Sequence, residues 1–157
     1  MNLNDIVEFE NIEHPFYLGI GIGDISTNLS KNVEEMDGRV FYLASEALEQ
    51  AKKKKRWIKL KNAWGNDNIV TCLLNFMAEV IWSWSKRQKN VIIYYRKVKS
   101  RKSNATLEEI SINLGIKKQT LSKILKRGKY ALLEDAEEAI LDFVSRKWLT
   151  EKNTYDL

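Results

Sequence analysis

The spacing of apolar residues divides this 157-residue chain into a short strand-bearing part and a longer helical part. Residues 16–27 alternate and are rich in Ile, Tyr and Phe, which is the period of a strand. "DGRVFYLASEALEQAKKKK" then sets Phe41, Ala44, Leu48 and Ala51 at helical spacing. "RWIKLK", residues 56–61, alternates again and predicts a second short strand, followed by a loop at "KNAWGNDN". From Asp67 onward, Ile69, Leu73, Phe76, Met77, Val80 and Ile81 form a broad apolar helical face.

Local start and stop signals organise the rest. Ser85 to Gln88 has the form of a capping box, in which serine oxygen and glutamine side chain each satisfy a free backbone N–H. It predicts a helix carrying Val91, Ile92, Tyr95 and Val98 on one side, although the β-propensity of "VIIYY" leaves a strand open there. Thr106 to Glu109 is a second capping box and opens a short helix that ends at Gly115. "IKKQTLSKILKRG" supplies the next helix. The last runs over about 131–148, with Leu132, Leu133, Ala136, Ile140, Leu141, Phe143 and Val144 to pack behind its neighbours or dimerise.

Residues 107–126, "LEEISINLGIKKQTLSKILK", fit a DNA-binding helix-turn-helix. Ile110, Leu114, Ile116, Leu121 and Ile124 are apolar where two crossing helices bury a shared face. Ser111 is small where the second helix crosses close above the first. Gly115 stands where the turn needs a left-handed backbone. The second helix would then lie in the major groove. Lys117, Lys118, Gln119, Ser122, Lys123 and Lys126 fall on its outer side or start. Gln119 suits a bidentate contact with adenine, and Lys118 or Lys123 suits guanine. Thr120, Arg127 and Lys129 are placed for phosphates, which position the protein without reading sequence.

Charge sharpens this expectation. Residues 1–50 hold ten acids against two bases, whereas residues 82–130 hold fourteen bases against Glu108 and Glu109 alone. Residues 131–157 return to seven acids against three bases. A basic segment within an otherwise acidic chain is an electrostatic footprint for a polyanion. The acidic face of the last helix, Glu134, Asp135, Glu137, Glu138 and Asp142, should point away from DNA. The "KKKKR" run at 52–56 reads as a solvated helix end suited to the helix dipole, with added phosphate contacts as the alternative.

Other chemistry is sparse. In "YLGIGIGDIST" the glycines fall at 19, 21 and 23, so neither the dinucleotide fingerprint nor the P-loop pattern is met. Alternate glycines bare one face of a strand, which lets a packed helix or a ligand approach the backbone. Cys72 is the only cysteine and His14 the only histidine, so no metal site and no disulfide framework are expected. Cys72 is read as a buried small hydrophobe, and Trp82 and Trp84 as packing residues. The acidic start lacks the form of a secretory signal, and no apolar window approaches the about 20 residues of a membrane helix. A cytoplasmic protein without membrane contact, cofactor or catalytic residues is expected.

"FYLGIGIGDISTN" followed by "DGRVFYLASEAL" resembles the second half of the N-terminal domain of SatD-family proteins. That domain is similar to the palm of nucleotide cyclases, where such a strand pairs beside metal-binding carboxylates. The resemblance covers roughly residues 16–50. The chain starts too late to hold the family's earlier aspartate-bearing strand, so Asp24 lacks partners for two-metal chemistry. A C-terminal fragment or a shortened descendant is therefore expected, and not an enzyme. "WSKRQKNVIIYYRKV" with the following "TLEEI" resembles the DNA-binding tail of sigma factors, with which SatD-family proteins also end. On that resemblance Lys86, Arg87, Arg96, Lys99, Arg101 and Lys102 would ring a scaffold helix as phosphate contacts.

The expected fold class is thus α+β and mostly helical. A palm-like remnant at 1–62 precedes a helical DNA-binding domain at 66–150 and a disordered tail at 151–157. The expected partner is double-stranded DNA, bound by a homodimer spanning two half-sites as a transcriptional regulator. The glycine strand and the acidic N-terminal part are candidates for the dimer contact or for a clamp on the basic part. Two rival functions remain: a nucleotide-sensing module, and a protein-interaction adaptor whose helix-turn-helix does not bind DNA.

Overall fold

A computed structural model describes residues 16–23, 38–62, 65 and 67–155, with residues 148–155 by backbone alone. His14, Asp24 and the expected strand beyond residue 23 lie outside the described residues. The protein is mostly helical with a small two-stranded parallel sheet. It divides into two compact units: the described residues of 14–78 with 145–157, and residues 79–144.

The first unit contains β1 (Leu18–Ile22), α1 (Arg39–Lys54), β2 (Ile58–Asn62) and most of α2 (Asp67–Trp82). The strands pair in parallel from Leu18 opposite Ile58 to Ile22 opposite Asn62. Parallel pairing requires a long crossover, and α1 lies within it. The glycines explain how α1 docks. A β-carbon on Gly19 would overlap the Ala44 carbonyl oxygen and lie 2.8 Å from the Leu48 Cα. One on Gly21 would overlap the Val40 carbonyl oxygen and lie 2.7 Å from the Ala44 nitrogen. The backbone of α1 therefore rests directly on β1, with Ala47 and Ala51 buried. Of the two readings for a bare strand face, the packed helix is the one observed.

The outer edge of β2 is closed by side chains of α2. Asn75 donates through Nδ2 to the Ile58 carbonyl at 2.6 Å and accepts from the Ile58 N–H at 3.2 Å. The Thr71 hydroxyl accepts from the Leu60 N–H at 3.1 Å and donates to the Leu60 carbonyl at 3.3 Å. A primary amide thus stands in for the peptide group of a missing neighbour strand. Between these positions, the buried Lys59 ammonium meets Asp67 at 3.2 Å and Asn68 at 3.1 Å.

These bonds set the rotation of α2 and overturn part of the expected apolar face. Val70, Met77 and Ala78 are buried, but Ile69 is 73% and Phe76 66% exposed. Cys72 is exposed, contrary to its reading as a core residue. Thr71, Asn75 and Ala78 lie on one side of the helix; at 3.6 residues per turn Ile69 and Phe76 fall toward the opposite side, with Cys72 on the exposed flank between.

In the second unit, α3 (Lys86–Arg101), α4 (Leu107–Asn113), α5 (Lys118–Arg127) and the first part of α6 (Tyr130–Tyr155) pack together. Both capping boxes form: Ser85 with Gln88, and Thr106 with Glu109. The first settles "VIIYY" as helix, so local capping prevails over β-propensity. Val91, Ala105, Ile110 and Leu121 form the core, flanked by Tyr95, Val98, Leu107, Leu114, Ile116, Ile124 and Leu125. The last helix extends past 148 to Tyr155, through most of the segment expected as a tail. Leu133 is buried there, whereas Leu132 and Leu141 are exposed.

Candidate nucleic-acid interface

Helices α4 and α5 are joined by a short turn whose pivot is Gly115 at φ +63°, a left-handed conformation that side chains disfavour. Ile110 and Leu121 meet beneath the turn with no exposed surface. Ser111 is buried beside them, and its hydroxyl donates to the Glu108 carbonyl at 2.9 Å, so the small polar residue leaves no unpaired donor.

The far end of α5 is fixed by Trp84, expected as a packing residue, and by Gly128, which the sequence pattern did not single out. The buried Trp84 indole Nε1 donates to the Gly128 carbonyl at 3.0 Å. A β-carbon on Gly128 would overlap the Ile92 Cδ1 and stand 3.2 Å from the Ile124 carbonyl oxygen. Gly128 has an ordinary helical φ of −74°, so glycine is needed there for space rather than for conformation.

Leu121 is buried on α5, while Lys118, Gln119, Ser122, Lys123, Lys126 and Arg127 are exposed. Gln119, Ser122, Lys123 and Lys126 follow the spacing of a single helical face. Lys117 is the exposed N-cap and makes no side-chain capping bond, and Thr120 is half-buried at the flank. Lys129 follows in a left-handed conformation at φ +56° and is also exposed.

Two of the bases on this surface are held by acids of the first turn of α4. Lys118 reaches Glu108 at 3.4 Å, and Lys102 reaches Glu109 at 3.5 Å. The Thr106 N–H donates to the Glu109 carboxylate at 3.0 Å. That bond, followed by the charge of Lys102, holds the Glu109 carboxyl below the ordinary range. Arg101 is exposed, as are Lys86 and Arg87.

Arg96 is placed differently from its expected role. Its guanidinium binds both carboxylate oxygens of Glu137 on α6, and both side chains are largely buried. The outward acidic face expected on α6 therefore loses Glu137 to an internal pair. Lys99 donates to the Ser103 carbonyl at 2.6 Å and ties down the loop after α3. Nearby, Tyr130 stacks edge-on against Tyr95 at 5.2 Å between ring centroids. Burial, followed by a hydrogen bond with Glu134, pushes the Tyr130 phenol well above its usual range.

Among the described residues, no group of His, Cys, Asp and Glu is arranged to hold a metal ion, and no helix is long and apolar enough to cross a membrane. No protein family, curated protein or solved structure matches this chain.

Proposed function

We propose that α4, the Gly115 turn and α5 constitute a helix-turn-helix, and that the protein binds double-stranded DNA as a transcriptional regulator. The observation that carries this reading is the outward face of α5. It offers Gln119, Ser122, Lys123 and Lys126 together, with no acid within the helix. A helix with this face fits the major groove, where Gln119 can bond adenine and Lys123 guanine. Lys117, Lys118, Thr120, Arg127, Arg101 and Lys102 flank it as phosphate contacts. Arg96 is left out of the contact set, since it is committed to Glu137.

One such motif contacts a single half-site, so a homodimer on a paired site is part of the proposal. The βαβ unit is proposed as the palm-like remnant that the SatD resemblance implies, here without catalysis. The test is fluorescence anisotropy of the protein against random duplex DNA over a salt series. Affinity should fall steeply with salt, with a slope equivalent to about five phosphate contacts. After selection of a preferred site, Gln119→Ala should relax its sequence preference. A protein that does not bind duplex DNA at low salt would end this reading. The adaptor function would then lead, favoured by Ile69 and Phe76 standing exposed on α2.

A further inference from the structure

The end of α1 carries Lys52, Lys53, Lys54, Lys55 and Arg56 in succession, and all five are exposed. Among the described residues none of the five is paired with an acid, whereas Lys59 and Lys61 of the same unit are. Lys59 is held by Asp67, and Lys61 by Glu46 of α1 itself. Five adjacent cations repel one another, so their company requires a reason. The helix dipole supplies part of one, but the C-terminus presents only about half a negative charge. Lys55 adds a second observation. It caps α1 in the left-handed conformation, φ 50° and ψ 46°, where glycine is the unstrained choice. Among the described residues only Lys129 shares this departure, and it follows the basic end of α5. At both helix ends a basic run passes through a lysine that occupies the backbone position of a glycine. Residues held in sparsely populated backbone conformations cluster at functional sites.

We propose that residues 52–56 are a second phosphate-binding patch, through which the chain grips a nucleic-acid backbone independently of α5. The proposal rests on the DNA-binding reading above. Lys52 to Lys55 offer ammonium point charges, and Arg56 adds a guanidinium fork that matches the oxygens of a phosphate. Phosphate contacts hold the backbone without reading sequence. A lipid surface would ask for apolar side chains beside the cations. The adjacent Trp57 is half-buried, with its ring 6.3 Å from that of Tyr17.

The test measures duplex affinity across a salt series for the full chain and three variants. Lys52→Gln/Lys53→Gln/Lys54→Gln should make the slope of log affinity against log salt shallower by about 2 to 3, because each phosphate contact adds about 0.9. Lys55→Gly should make it shallower by about 1 while raising the thermal midpoint, a combination that a purely structural lysine does not produce. Lys123→Gln/Lys126→Gln on α5 should flatten the slope in its own right. If only the α5 variant changes the slope, the second patch is overturned and the DNA-binding reading stands. If the unmodified chain binds no duplex, both fail together. Vesicles of phosphatidylserine and phosphatidylcholine provide the last arm. Vesicle binding that the triple variant abolishes, with an unchanged DNA slope, would overturn the patch in favour of a lipid headgroup.

Discussion

The indole of Trp84 and the carbonyl of Gly128 lie 44 positions apart in sequence and 3.0 Å apart in space. This bond joins the segment before α3 to the residue that ends α5, and so helps set the pitch of the proposed reading helix. Trp84→Phe removes the donor and leaves a buried carbonyl unpaired, which should cost about 1 to 3 kcal/mol. Gly128→Ala should cost a similar amount, about 1 to 3 kcal/mol, by driving a methyl group into Ile92. Urea unfolding of the two variants measures both.

Gly21 carries a different constraint. Any side chain there meets the backbone of α1, which cannot yield as a flexible side chain would. Gly21→Ala should lose about 3 kcal/mol and separate α1 from the sheet. Near-ultraviolet circular dichroism, with Trp57 beside the affected strand, would show an unchanged spectrum if the packing were looser than described.

Arg96 and Lys123 should separate stability from binding. Arg96→Met leaves Glu137 largely buried without its guanidinium and should destabilise the protein by about 2 to 3 kcal/mol. Its salt slope on duplex DNA should match that of the unmodified chain at a temperature where both are folded. Lys123→Gln should behave in the opposite manner, with an unchanged melting temperature and a shallower slope.

Glu108 holds Lys118 at the rim of the proposed interface. Glu108→Gln frees that ammonium and removes a negative charge facing the phosphates. Affinity for duplex DNA should rise about threefold at low salt, in keeping with the about 0.2 to 1 kcal/mol of an exposed pair. The gain should vanish near 1 M salt, where the screening length is about 3 Å. Titrations at both ionic strengths check it.

Two groups give stability opposite pH dependences. Glu109 binds its proton less readily in the folded chain, through the Thr106 N–H and then Lys102. Its contribution is present above the ordinary Glu pKa of about 4.3 and is lost as pH falls below it. Tyr130 keeps its proton more tightly when folded, through burial and then Glu134. Its contribution is present below the ordinary Tyr pKa of about 10 and is lost as pH rises beyond it. Melting temperatures should fall less between pH 5 and pH 3 in Glu109→Gln, and less above pH 10 in Tyr130→Phe, than in the unmodified chain.

What the sequence made legible was local. Both capping boxes, the turn at Gly115 and the burial of Ile110, Ser111 and Leu121 depend on residues within a few positions of one another. The glycine strand was recognisable as a bare face, but not what would cover it. The misreadings were non-local. Cys72 and Phe76 belong to an apolar helical pattern, yet Thr71 and Asn75 bond to β2 and turn that side of α2 outward. Arg96 has the composition of a phosphate contact, and only the position of Glu137, 41 residues away, commits it elsewhere. A charge pattern shows which residues are polar, but not which of them have already found a partner.

The same Asn75 and Thr71 also give the small sheet a direction of growth. Backbone groups of Ile58 and Leu60 that would recruit another strand are occupied by an amide and a hydroxyl from α2. That flank is terminated, much as a capped polymer end is closed to monomer. Any strand added to this sheet, whatever its origin, must join beyond β1.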